Sequence, residues 1–217
     1  QPSVWGVRGL LATYSPSGAD AVTLRTTVVL LAESAPDPVQ LATVLPIVGP
    51  ASALGLMTAA ELASSTAPGG HLSRLVNEST TANVAYALDP RITTSILTLG
   101  AQAPASASAW LAKLNSLKKP GFWLTFGDSD ISGQIQAGAP TPLQPRIDDL
   151  ANIPAPPAGS RWDGLNWPGW TPTLQNVAWP LANTMTDDVV SGIQVGGYAH
   201  SLVSSSNLAT SAPANSA

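Results

Sequence analysis

The chain contains no cysteine. Disulfides, thiolate metal sites and cysteine nucleophiles are thereby excluded together. Charge is also scarce: Asp, Glu, Lys and Arg make up 10% of the residues, against roughly a quarter in an ordinary domain. The nine cations are outnumbered by thirteen anions, for a net charge of −4, and only Lys118-Lys119 are adjacent. Nucleic acid is an unsuitable partner for such a surface, because phosphate binding needs clustered cations. No run of about 18 apolar residues exists, so no stretch spans a bilayer as a helix. Histidine occurs twice, as His71 and His200, on separate predicted elements. A Gly-x-Ser-x-Gly elbow and a Gly-rich phosphate loop are missing too, which removes two common routes to catalysis.

What is abundant is small and apolar. Hydrophobic residues reach 44% over 217 positions, enough for a substantial core and too many for a disordered chain. Twenty prolines and eighteen glycines predict long ordered loops. No signal peptide is visible, and the chain is expected to be a piece of a longer exported protein.

Hydrophobic periodicity divides the chain. Residues 4–32 read as an antiparallel hairpin, with arms Val4–Tyr14 and Val22–Leu31 around the turn chemistry of Ser15 to Asp20. A lone hairpin is marginal in water, so residues 1–35 are expected to belong to a preceding β domain. From residue 36 strands and helices alternate. Leu41–Leu45 predicts a strand stopped by Pro46. Thr58-Ala59-Ala60-Glu61 has capping-box spacing and opens a helix, which Pro68-Gly69-Gly70 closes. A second helix carries Leu72, Leu75 and Val76 on one face. Asn83–Leu88 is the next strand, followed by helices from Arg91 to Leu99 and around Trp110, Leu111, Leu114 and Leu117. Gly121–Phe126 is a strand apolar enough to be covered on both faces. Residues 138–173 form a Pro- and Trp-rich insertion, interrupted by a short helix near 145–151. Gln175–Trp179 is a strand, Thr186 caps a helix, Tyr198–Val203 is a last strand, and 204–217 is a polar tail. Alternation of this kind predicts an α/β fold, with 36–203 forming an incomplete (β/α) barrel-like parallel sheet behind the leading hairpin.

Three aspartates follow predicted buried strands: Asp89, Asp128 and Asp130. Strand carboxyl ends are where α/β sheets keep their chemistry. Two carboxylates across a cleft suit acid/base work on a glycosidic bond. The competing reading is structural. Asp89-Pro90 is also a helix N-cap followed by proline at the first helical position, and Asp130 can cap the helix behind it. Trp167, Trp170, Trp179, His71 and His200 are the candidate ligand-binding residues; the tryptophans either stack on sugar rings or pin the loop to the domain, and pinning is the better-supported role. Asp-x-Asp with His71 or His200 is too thin a ligand set for a dedicated metal site, so neither metal nor cofactor is assigned.

The ordered set Pro68-Gly69-Gly70-His71-Leu72, Ala87-Leu88-Asp89-Pro90, Trp110-Leu111, Leu124 to Asp130 and Val177-Ala178-Trp179-Pro180 resembles a family of large actinobacterial exported proteins of uncharacterised function. That resemblance implies an extracytoplasmic, envelope-located chain whose central domain is similar to the barrels of sugar hydrolases and polysaccharide deacetylases. Membrane attachment would come only from segments absent here. Thr125-Phe126-Gly127-Asp128 is similar to the Thr-Phe-Asp-Asp strand end of those deacetylases, but Gly127 replaces the first aspartate and paired metal-binding histidines are missing. The expected function is therefore a non-catalytic or degenerate glycan-binding or scaffolding module with a cell-wall glycan or an envelope protein as partner. The alternatives are a carbohydrate hydrolase working through the strand-end aspartates and an interaction platform for cell-wall export.

Overall fold

The structure is a computed structural model that describes residues 6–18, 20–30, 41–51, 55–145, 167 and 169–207. The linker expected at 33–38, Trp162 and most of the expected helix at 145–151 lie outside the described residues. The chain divides into two compact units, one within residues 1–41 and one spanning residues 42–210.

The first unit is the hairpin, β1 (Gly6–Tyr14) paired antiparallel with β2 (Val22–Leu30). Side chains alternate across a strand. The register Leu10↔Thr26, Ala12↔Leu24 and Tyr14↔Val22 therefore gathers Leu10, Tyr14, Val22, Leu24 and Val28 on one face. All five are exposed.

The second unit is α/β. β3 (Val44–Ile47), β4 (Ala85–Leu88) and β5 (Gly121–Trp123) form a parallel sheet in that order. β6 (Val177–Ala178) and β7 (His200–Ser201) form a second parallel pair. Among the described residues the strands do not close into a barrel. The helices are α1 (Ala59–Thr66), α2 (His71–Glu78), α3 (Pro90–Leu99), α4 (Ala105–Ser116), α5 (Ile131–Gln136) and α6 (Asp187–Val195).

Period-2 alternation explains how the sheet is sandwiched. Leu45, Ile47, Tyr86, Leu88 and Trp123 point into a core shared with Leu62, Leu72, Ile92 and Leu114 of α1 to α4. Val44, Ala87, Phe122 and Leu124 point the other way, where they pack with Val177 and Leu202. A third cluster joins Ile131 and Ile135 of α5 to Val189 and Ile193 of α6, with Ala178 and Tyr198. Helix ends follow their sequence signals. Thr58 and Glu61 form the reciprocal capping box, Glu61 N–H donating to Thr58 Oγ1 at 3.2 Å and Thr58 N–H to Glu61 Oε2 at 2.7 Å. Thr186 Oγ1 accepts from Val189 N–H.

Several boundaries depart from expectation: β6 and β7 are two-residue strands within the expected Gln175–Trp179 and Tyr198–Val203. Pro46 does not stop β3; it sits inside it, opposite Ala87. β3 is an edge strand, and a proline whose missing N–H would face away from the ladder costs no hydrogen bond there. β5 is shorter than Gly121–Phe126, because Phe126 leaves the sheet in a 3-10 turn (Phe126–Asp128) and packs on Trp167 at 5.2 Å. Gly121 is required where it stands. A Cβ there would lie 2.0 Å from the Tyr86 carbonyl oxygen.

Candidate functional site

The carboxyl ends of β4 and β5 bring Asp89 and the Gly127-Asp128 turn together. Asp89 is wholly buried. It is the N-cap of α3, and its Oδ1 accepts from Arg91 N–H and from Gly127 N–H, both at 2.9 Å. Its Oδ2 faces Arg91 Nε at 3.5 Å, an ion pair without a direct hydrogen bond. Arg91, itself buried, donates from Nη2 to the Pro50 carbonyl at 2.6 Å. One carboxylate thus ties the start of α3 to the turn after β5, and its arginine partner reaches the loop after β3. Burial pushes the Asp89 carboxyl up to about 6. The N–H of Arg91, its guanidinium and the Gly127 N–H work against that rise, while the nearby Asp128 adds to it.

Gly127 has φ +68° and Asp128 φ +50°, both in the left-handed region. Glycine enters it freely and aspartate is among the few other residues that tolerate it. The Asp89 bond to Gly127 N–H, the Asp128 N–H to Thr125 carbonyl bond at 2.9 Å and the Thr125 Oγ1 to Ser129 carbonyl bond at 2.9 Å hold the turn. Asp128 is exposed as a residue, but its carboxyl is partly desolvated, which raises its pKa. Asp130 plays a different part: it is exposed and caps α5, accepting from Gly133 N–H at 3.0 Å. Of the three aspartates, two are helix caps, and only Asp128 offers a carboxyl free of a cap.

Asp128 lines a hollow of about 230 Å³ with Pro46, Leu124, Trp179, Pro180 and Leu181. A second hollow of about 350 Å³ shares Trp179, Pro180 and Ala182 and continues to Val44, Leu202 and Ser204. Trp179 stands at the junction, 38% exposed, its ring tilted at 6.1 Å from Phe122. The other two candidate tryptophans are anchors. Trp167 is buried against Phe126, and Trp170 is buried edge-on to Trp123 at 5.1 Å. They anchor their stretch of chain to the helical side of the sheet and are 4% and 6% exposed against 38% for Trp179, although both also line a separate hollow of about 300 Å³ with Asn115, Gly169 and Pro172.

His71 is exposed at the first position of α2, and His200 is exposed in β7 opposite Val177. Among the described residues no group of three or more His, Asp or Glu is arranged to hold a metal ion. Sequence reading missed Arg91, whose position two residues after the Asp89 cap was the available signal. It also missed Pro46, Leu181 and Ser204, apolar or small residues that carry no motif.

No protein-family model, curated protein or solved structure matches this chain. Function must therefore be read from the site itself.

Proposed function

We propose that the protein is a non-catalytic glycan-binding or scaffolding module of the bacterial cell envelope, with its ligand lying across Trp179. The observation that carries this reading is the half-open indole between two hollows with one carboxylate on the rim. The apolar C–H face of a sugar ring packs on an aromatic face, and a carboxylate accepts from its hydroxyls. The two parallel sheets, packed together through Phe122, Leu124, Val177 and Leu202, are read as arcs of an incomplete (β/α) barrel with the ligand at its rim.

Hydrolysis is the weaker reading. Glycosidase chemistry takes two carboxyls that both reach the scissile bond. Asp89 has the raised pKa of an acid catalyst, but no part of it is exposed, and its Oδ1 already holds two backbone N–H groups. Asp130 holds a helix end. Among the described residues Asp128 is left without a partner carboxylate that can touch substrate.

A glycan array tests the proposal. The full chain should retain cell-wall-type oligosaccharides, and Trp179→Ala should lose them while keeping the same thermal unfolding midpoint within a few degrees. Equal retention by both proteins would remove Trp179 from the site. A second reading, an envelope protein as partner, is favoured by the exposed apolar face of the hairpin. A pull-down from envelope extract in which Leu10→Ser/Leu24→Ser captures the same proteins as the unaltered chain would dismiss it.

A further inference from the structure

The two hollows differ in size and chemistry but share one wall, Trp179 and Pro180. Taken singly, their volumes of about 230 and 350 Å³ sit at or below the low end of the roughly 300–1,000 Å³ typical of small-molecule sites. Taken together they fall well inside it. A single sugar stacked on Trp179 would leave one hollow empty. A chain crossing the indole would fill both, with one ring beside Asp128 and Leu124 and the next beside Val44 and Ser204.

Charge narrows the ligand further. Among the described residues Asp128 is the one charged side chain lining either hollow, and no lysine, arginine or histidine lines them. An anionic sugar would meet a carboxylate and no cation. Partial desolvation already disfavours the ionised form of that carboxyl, so a second negative charge beside it is more costly than it would be in open water.

We infer that the groove takes a chain of at least two sugar residues bearing no negative charge, with Trp179 as the partition between two subsites. This rests on the glycan-binding reading above. Trp179 supplies stacking area to the rings on either side, and Asp128 selects against uronates and phosphorylated sugars while accepting from hydroxyls of neutral ones.

The probe is a printed set of defined oligosaccharides, one to six residues long, in α- and β-linked gluco, galacto, manno and arabino series. Each has a uronate-bearing counterpart. For at least one neutral series, binding should rise about tenfold or more from one residue to two, and uronate counterparts should bind about tenfold more weakly. Asp128→Asn should bring the uronates up towards their neutral counterparts. Asparagine accepts the left-handed backbone at 128 as readily as aspartate, so this variant should fold. Equal binding of monosaccharide and oligosaccharide, or uronates bound as well as neutral chains, would overturn this inference and leave glycan binding standing. No printed sugar bound above the level of Trp179→Ala would overturn both.

Discussion

Asp89→Asn should stabilise the protein at neutral pH or leave its stability nearly unchanged, against the usual expectation for a buried ion pair. The asparagine Oδ1 keeps its position as acceptor for both Arg91 N–H and Gly127 N–H, so the cap of α3 and the tie to the β5 turn survive. What disappears is a buried negative charge. The carboxyl is raised from 3.8 to about 6 even with Arg91 beside it, so desolvation outweighs the attraction. That difference corresponds to about 3 kcal/mol between the neutral and ionised forms. Set against it is the amide N–H₂ now facing Arg91 Nε, donor to donor, at about 1–3 kcal/mol. The net at pH 7 lies between zero and about 2 kcal/mol in favour of the variant.

The pH dependence is the sharper readout. A carboxyl whose folded pKa is raised adds stability that is fully present below 3.8 and is lost as pH rises through about 6. From pH 7 to pH 4 the unaltered protein should gain about 2.4 kcal/mol more than the variant gains, or roughly 5–10 °C in unfolding midpoint for a chain of this size. Urea unfolding followed by tryptophan fluorescence measures it, since six of the seven tryptophans fall within residues 42–210. Parallel stability profiles for the two proteins between pH 4 and pH 7 would refute the assignment of Asp89 as a charge held at a cost.

Trp170→Ala should cost about 3–5 kcal/mol, as deletion of a buried aromatic does, and should leave glycan retention intact once corrected for unfolded protein. Loss of retention with unchanged stability would make Trp170 a ligand contact. Gly127→Ala, which places a Cβ at φ +68° in otherwise open space, should lower the midpoint by an amount equivalent to about 1–2 kcal/mol through strain alone. An unchanged midpoint would mean the turn relaxes out of the left-handed region. Gly121→Ala should prevent folding of the α/β unit, because its Cβ would fall 2.0 Å from the Tyr86 carbonyl oxygen in the middle of the sheet. Cooperative unfolding at the original midpoint would contradict the register of β4 and β5.

The alternation of the second unit was legible because buried strands and capped helices leave strong local signals. Thr58 with Glu61, Asp89 with Pro90, and Thr186 each marked a helix start that the structure uses. Strand ends were read less well where tertiary packing overrode propensity. Phe126 belongs by composition to the strand Phe122–Phe126, yet Trp167 draws it out of the sheet. Pro46 reads as a stop, yet an edge strand accommodates it. At the site, the aspartates could be named but not sorted, because the same residue type at the same strand end serves as cap or as open carboxylate. The bonds from Arg91, Gly127 and Gly133 N–H groups separate Asp89 and Asp130 from Asp128. The hollows were invisible to sequence, since proline, leucine and alanine line them without any spacing rule.

The most direct test of a binding site without turnover is to recover the glycan after long incubation with the full chain and weigh it by mass spectrometry. A neutral oligosaccharide returned at its original length, from a complex that Trp179→Ala cannot form, is the predicted result. Shortened products that vanish with Asp128→Asn would contradict it and make Asp128 a catalytic residue.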